Sequence, residues 1–214
     1  MLVVVGFSAE AALLPAGTPH LVAAANPVRL ARILAAMPRP AAILSLGIAG
    51  GLDPALRPGA LVVARNVIAE ARWPADAAWS GALLEATGAL HADIAGADCV
   101  IATPAAKAAL WAATGAAAVD MESAAIARIF SPLGVPFAVL RAVADTAGEA
   151  LPAAAAMGLD AAGNPAPWRV MRALLRRPQD LPGLIRMALR SRAALSALAP
   201  HCSAGAAAFR PPLA

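Results

Sequence analysis

Cysteine, histidine and charged residues are all scarce in this 214-residue chain, and each shortage closes off a class of function. The two cysteines, Cys99 and Cys202, form neither a CxxC pair nor a disulfide framework, which points to a reducing, cytoplasmic setting. The three histidines, His20, His91 and His201, stand far apart without ligand spacing, so no metal site is expected. GxSxG, Walker A and GxGxxG patterns are absent. No stretch of about 18 residues is free of both charge and helix breakers, which argues against a spanning helix. The opening MLVVVGFSAE has no basic leader, and Glu10 interrupts its apolar run, so it reads as a first buried strand rather than a secretory signal.

What is abundant is alanine and other apolar residues. Hydrophobic residues make up 60% of the chain and charged ones 14%. Alanine adds little core volume, so the first figure overstates the core. The length suits one α/β domain with a short appendage. Charge is unevenly spread. Residues 1–168 hold nine Lys/Arg against twelve Asp/Glu, and residues 169–214 hold eight Arg against one Asp. A near-neutral body therefore carries a strongly basic tail.

Short apolar runs alternate with helical stretches. Strands are predicted at 2–6, 21–25, 41–46, 60–69, 98–102, 116–119 and 136–144. Helices are predicted at 9–14, 27–37, 77–88, 104–114, 121–131, 167–177 and 181–198. Strand runs without polar alternation imply strands covered on both faces, hence a three-layer α/β fold with a mixed central sheet plus C-terminal basic helices. Thr103-Pro104 reads as a helix start, and Gly115 and Gly134 as helix stops. The expected layout is a core over 1–146, a mobile lid or connection over 147–166, basic amphipathic helices over 167–199 attached to the same domain, and a tail over 200–214.

Three segments carry candidate chemistry. Ser45-Leu46-Gly47-Ile48-Ala49-Gly50-Gly51-Leu52 follows an apolar strand and is read as a Gly-rich turn, either a plain tight turn or a place where a ligand approaches the backbone. In Val119-Asp120-Met121-Glu122-Ser123 a strand gives way to a helix. Asp120 is placed to cap, whereas Glu122 could accept two hydroxyls, as a ribose diol requires. In Val139-Leu140-Arg141-Ala142-Val143-Ala144-Asp145 an apolar strand ends in an acid. Asp145 is either a turn aspartate or a general acid beside a closable segment.

The combination GIAGGL, VDMESAA and LRAVAD, in this order and spacing, resembles the purine nucleoside phosphorylase and nucleosidase superfamily over residues 2–146. The stretches GIAGGLDPALRPG, WPADAAW, ATPAAKAALWAATGA and ALLRRPQDLPGLIRMA resemble the subgroup of hopanoid-associated phosphorylases, or adenosylhopane nucleosidases, out to about residue 190. The resemblance implies cleavage of a purine N-glycosidic bond, with adenine released from adenosylhopane. Glu122 would hold the ribose hydroxyls, Met121 would pack on the sugar, and Asp145 would protonate the purine. The turn with Ser45, Gly47, Ile48, Ala49 and Gly50 would face the nucleophile, and Thr103 lies where a base-binding loop falls. It also implies a homodimer or larger assembly, and no cofactor beyond phosphate as a co-substrate.

The nucleophile side departs from the pattern. Glu10 stands one position before the place of the water-activating glutamate, where Ala11 falls, so it either reaches the water through a shifted turn or caps the first helix. Ile48 offers no phosphate-binding side chain, which leaves Ser45 and backbone N–H groups and favours hydrolysis over phosphorolysis. Ala144 replaces a serine before Asp145, and Ala60 an aspartate after Gly59. The basic tail reads either as helices packed on the core with arginines in water, or as an element peripheral to the inner membrane that serves a lipid-linked nucleoside. With a single aromatic before residue 200, Trp168, it does not read as a nucleic-acid binder. The competing functions are a nucleosidase for methylthioadenosine, adenosylhomocysteine or futalosine, and a non-catalytic nucleoside-binding, membrane-peripheral protein.

Overall fold

Eight strands pair into one mixed sheet, and the pairing curls part of it into a ring. The computed structural model describes residues 1–24, 26–152, 172, 174–203, 209 and 211. The strands are β1 (Leu2–Val5), β2 (His20–Val22), β3 (Ile43–Gly51), β4 (Leu61–Ile68), β5 (Arg72–Pro74), β6 (Leu90–Gly96), β7 (Ala118–Asp120) and β8 (Phe137–Asp145). The helices are α1 (Ser8–Ala11), α2 (Pro27–Ala36), α3 (Ala77–Thr87), α4 (Pro104–Thr114), α5 (Ser123–Phe130) and α6 (Leu181–Ser203), which a 3₁₀ turn at Pro178–Asp180 precedes. The path through the sheet is β2-β1-β3-β7-β6-β4-β5, and β8 pairs with both β3 and β4. The cycle β3, β8, β4, β6, β7 therefore returns to β3. The β3–β8, β4–β6 and β6–β7 pairs are parallel, whereas β3–β7 and β4–β8 are antiparallel.

The mixed central sheet expected from the uninterrupted apolar runs is present. Successive side chains of a strand point to opposite faces, and both faces are covered. One cluster gathers Ile43, Val139 and Val143 with Leu30 and Leu34 of α2 and Ile126 and Phe130 of α5. The other gathers Leu44, Leu46 and Leu140 with Trp79 and Leu83 of α3 and Ala194, Leu198 and Cys202 of α6. Local chemistry sets the helix ends. The side chains of Asn26, Asp76 and Thr103 accept the N–H groups of Arg29, Trp79 and Ala106. Gly88 and Gly115 close α3 and α4 at φ 63° and 66°, where a side chain would be strained.

Several expectations need correction. The Gly-rich segment is not a turn: β3 runs through it to Gly51, because β8 pairs along its length and β7 pairs at Gly50 and Gly51. The strand placed at 98–102 lies instead at Leu90–Gly96, where His91 and Asp93 break up the apolar run that marks the other strands. β5 was not anticipated. α1 ends at Ala11, short of residue 14. Pro182 does not break α6, since a proline in the first turn removes no intrahelical hydrogen bond, and the helix runs on through Pro200 to Ser203. The lid expected over 147–166 and the helix expected over 167–177 lie largely outside the described residues. The part of the lid that is described, up to Pro152, is tied down by the Leu151 N–H donating to Ala102 O at 2.8 Å. No helix among the described residues is long and apolar enough to cross a membrane.

Gly96 ends β6 against the start of α5. A Cβ there would overlap the Ala124 methyl and stand 3.0 Å from Ala124 N, a backbone atom that cannot swing aside. Gly96→Val should therefore destabilise the protein by roughly 1–3 kcal/mol in urea unfolding. An unchanged midpoint would mean that α5 is not held at this distance.

Candidate active site

The C-terminal half of β3 is the axis of the site. Glu10 follows a strand-to-helix corner, and its side chain folds back so that the carboxylate accepts from Gly6 N at 2.6 Å and Phe7 N at 3.0 Å. The other oxygen crosses to β3 and accepts from Ile48 N at 2.8 Å. Glu10 thus caps α1 and also reaches the glycine run. Gly47 is glycine because a Cβ there would lie 2.5 Å from Glu10 Oε1. Gly6 is hemmed in by two acids, with Glu122 Oε1 and Glu10 Oε2 at 3.1 and 3.3 Å from a built Cβ.

A guanidinium organises the neighbouring acids. Arg141 lies on β8, level with Gly47, and is wholly buried. Its Nε donates to Asp120 Oδ2 at 2.6 Å, and its Nη2 donates to Ser45 Oγ at 2.7 Å and to Glu122 Oε2 at 3.2 Å. Nη1 has no hydrogen-bond partner among the described residues. The other oxygen of Asp120 accepts from Ser123 N at 3.0 Å and Ser123 Oγ at 2.6 Å, so Asp120 holds the start of α5 as the capping reading required. Three buried carboxylates share one guanidinium. Burial above all, then Asp120 and Glu10, push the Glu122 acid up to about 8, against the pull of Arg141. Burial likewise raises Glu10. Met121 sits half-buried between Asp120 and Glu122.

Asp145 marks the other end of the same stretch. The β3–β8 register slips between Ala49 and Gly50, so that Ala49 faces Val143 and Gly50 faces Asp145. Ala144 is thus the extra residue of a bulge, a device that re-aims the side chain that follows. A Cβ built on Gly50 would lie 3.5 and 3.6 Å from the two Asp145 oxygens. Three residues of extended chain separate Gly47 from Gly50, about 10 Å. Burial raises the Asp145 acid, with Lys107 and Arg190 opposing. Lys107 of α4, itself fully buried, forms an ion pair with Asp145 Oδ2. Asp145 also borders a cavity of about 310 Å³ walled by the turn at Gly148–Pro152 and by Gly183, Arg186, Met187 and Arg190 of α6. Neither Glu10 nor Glu122 is among its walls.

Of the residues singled out from sequence, Glu10, Ser45, Gly47, Ile48, Ala49, Gly50, Met121, Glu122 and Asp145 all fall along this edge of β3. Thr103 does not join them: it is exposed, and its hydroxyl caps α4. Arg141 and Lys107 escaped sequence reasoning. Arg141 had left a signal, a lone cation inside the apolar run FAVLRAVAD, since a buried arginine must be paired. Lys107 left a fainter one in an alanine-rich helix. The described residues contain no cluster of three or more His, Cys, Asp or Glu arranged to hold a metal ion.

The family model described as the phosphorylase superfamily matches residues 16–166. No curated protein matches the chain. Among solved structures, the chain is similar to a 5′-methylthioadenosine/S-adenosylhomocysteine nucleosidase from Colwellia psychrerythraea in complex with adenine. The identity is 22% and the TM-score 0.57, over 69% of this chain and 83% of that one. It is similar to the futalosine hydrolase of Helicobacter pylori at 19% identity and TM-score 0.57, over 69% and 85%. It is also similar to the methylthioadenosine/adenosylhomocysteine nucleosidase of Campylobacter jejuni at 17% identity and TM-score 0.59, over 93% and 98%. At these identities the likeness establishes the fold.

The acid cluster has a consequence for stability. Glu122 titrates near 4.5 when unfolded and about 8 when folded. Between these values the folded state keeps a proton that the unfolded state has released. The stabilisation is therefore complete below about 4.5 and is lost as pH rises through about 8. Thermal melts at about pH 5 and about pH 8.5 should show a fall in Tm that is smaller in Glu122→Gln, whose amide does not titrate. Equal falls in the two proteins would contradict the burial of a titrating Glu122.

Proposed function

This chain belongs to the phosphorylase superfamily, and from that premise we propose that it is a nucleosidase that hydrolyses the N-glycosidic bond of a purine nucleoside. One observation carries the reading. Glu10 and Glu122 meet at the Gly6 and Gly47 end of one extended stretch, and Asp145 meets it at Gly50, about 10 Å away on the scale of a nucleoside. Glu122 grips the ribose hydroxyls, which become more acidic as the sugar gains oxocarbenium character, so these bonds tighten in the transition state. Met121 packs on the sugar. Asp145 gives its proton to the purine as the C1′–N9 bond breaks and the electron pair leaves with the base. Water adds to C1′ and yields its proton to Glu10.

Water is favoured over phosphate as nucleophile by the use of the backbone donors. The N–H groups of Gly6, Phe7 and Ile48 all serve the Glu10 carboxylate. Arg141, a buried cation at this end of the site, already faces three acids. A phosphate would have to displace Glu10 from these backbone donors, whereas a water would not.

The finer reading is release of adenine from adenosylhopane, leaving a ribosyl hopane. It is supported by α6. Leu181, Ile185 and Leu189 recur every fourth residue on its outer face and are 47%, 52% and 62% exposed. Residues 181–203 hold Arg186, Arg190 and Arg192 and no acid. A basic amphipathic helix attracts anionic lipid at about 1 kcal/mol per cation near the surface. The same helix walls the cavity beside Asp145 through Gly183, Arg186, Met187 and Arg190. A second reading, a nucleosidase for soluble 5′-thionucleosides or futalosine, is favoured by the similarity to nucleosidases and a futalosine hydrolase.

Asp145→Asn should lower base release about 10²–10⁴-fold while nucleoside binding persists. Near-native turnover would remove Asp145 as the acid. Base release from adenosylhopane and from methylthioadenosine should be independent of added phosphate, and ribose 1-phosphate formation would overturn hydrolysis. The protein should sediment with vesicles rich in anionic lipid at low salt, and Arg186→Gln with Arg192→Gln should weaken that association. Indifference to vesicles, together with a preference for methylthioadenosine, would decide for the soluble substrate.

A further inference from the structure

Lys107 stands outside every motif that marked the site. It follows the Thr103 cap by one turn in a helix that is alanine, leucine and tryptophan between Pro104 and Thr114, and none of its surface reaches water. A buried ammonium needs acceptors for three N–H donors and a counter-charge. Lys107 has both. Nζ donates to Asp145 Oδ2, to Thr146 O at 2.7 Å and to Glu149 O at 3.1 Å. All three acceptors belong to the end of β8 and the turn that follows it. That turn is held further by Thr146 N donating to Glu149 Oε2 at 3.2 Å and by the Glu149–Arg190 ion pair to α6. Ala144, just before the acid, has no side-chain donor with which to orient it.

We propose that Lys107 is the positioning residue of Asp145: its ammonium fixes one carboxylate oxygen, turns the other toward the base, and binds the turn at 146–149 over the acid. The role rests on the reading of Asp145 as proton donor. The proton balance follows from the pairing. The carboxyl takes a proton from solvent, passes it to the purine nitrogen, and is left as a carboxylate that the ammonium stabilises. Lys107 therefore makes Asp145 a stronger acid at the moment of transfer. Among the described residues the charged groups facing Asp145 are Lys107 from α4, Arg190 and Arg186 from α6, and Glu149 from the turn, and of these Lys107 is in contact. Without it, burial acts on the carboxyl with less opposition, and the acid stays protonated to higher pH.

The test is the pH dependence of kcat/KM for base release in Lys107→Met and Lys107→Gln beside the wild type and Asp145→Asn. Lys107→Met should lower kcat by up to about 10²-fold, the scale of a misplaced catalytic group, with KM little changed. Its alkaline limb should move to higher pH. Lys107→Gln keeps a donor and should recover part of kcat, with the limb still displaced. A purely structural lysine would lower Tm and leave the limb in place. If Asp145→Asn is inactive and the Lys107→Met profile superimposes on wild type, the role of Lys107 is overturned alone; should Lys107→Met fail to fold, the limb of Lys107→Gln decides in the same way. If Asp145→Asn keeps near-native turnover, the acid assignment falls and the role of Lys107 falls with it.

Discussion

One cation that water cannot reach holds the site together. Taking a guanidinium out of water costs several kcal/mol, so Arg141 is tolerable only with its partners in place. Those partners arrive from separate parts of the chain: Ser45 from β3, Asp120 from the end of β7, and Glu122 from the step before α5. β7 and β8 flank β3, and Arg141 spans them. Closing the strand ring and assembling the acids are therefore one event. Losing any partner would leave a buried N–H of the guanidinium without its acceptor.

Each end of the glycine stretch carries a buried cation, but in different company. At Gly47 two carboxylates pair with Arg141 while Glu10 lies in its field, and at Gly50 a single carboxylate pairs with Lys107. Burial is the main reason that Glu10 and Glu122 are both raised, and for Glu122 the neighbouring Asp120 and Glu10 add to it. The Gly50 end holds one acid against an ammonium while burial pulls the other way. Burial thus raises both Glu122 and Asp145, each beside a different cation.

The C-terminal helix joins this chemistry to the surface. Ala194, Leu198 and Cys202 on its inner side complete the core against β3 and β8. Its outer side keeps leucine and isoleucine in water beside arginines. Arg190 reaches Glu149 in the turn over Asp145, so a displacement of α6 would be felt at the acid through one ion pair. The core-packing reading of the basic tail holds for the inner side of this helix.

Much of this was legible in the residues. The strand runs 2–6, 60–69 and 136–144, the caps at Thr103 and Gly115, and the positions of Glu122 and Asp145 at strand ends follow from local rules, because apolar period and capping act within a few residues. The glycine run was recognised but misread as a turn. Only pairing with β7 and β8 keeps it extended, and only Glu10, thirty-eight residues away, explains why Gly47 has no side chain. The strand at Leu90–Gly96 was missed because its pairing, not its composition, makes it a strand. Sequence alone determined the fold class, the acids and the basic tail, since these depend on residue type and short-range spacing. Tertiary structure decided which cation meets which carboxylate, Arg141 with Asp120 and Glu122 and Lys107 with Asp145. Those pairings join residues that are distant along the chain, and burial forces them only once the strands have closed.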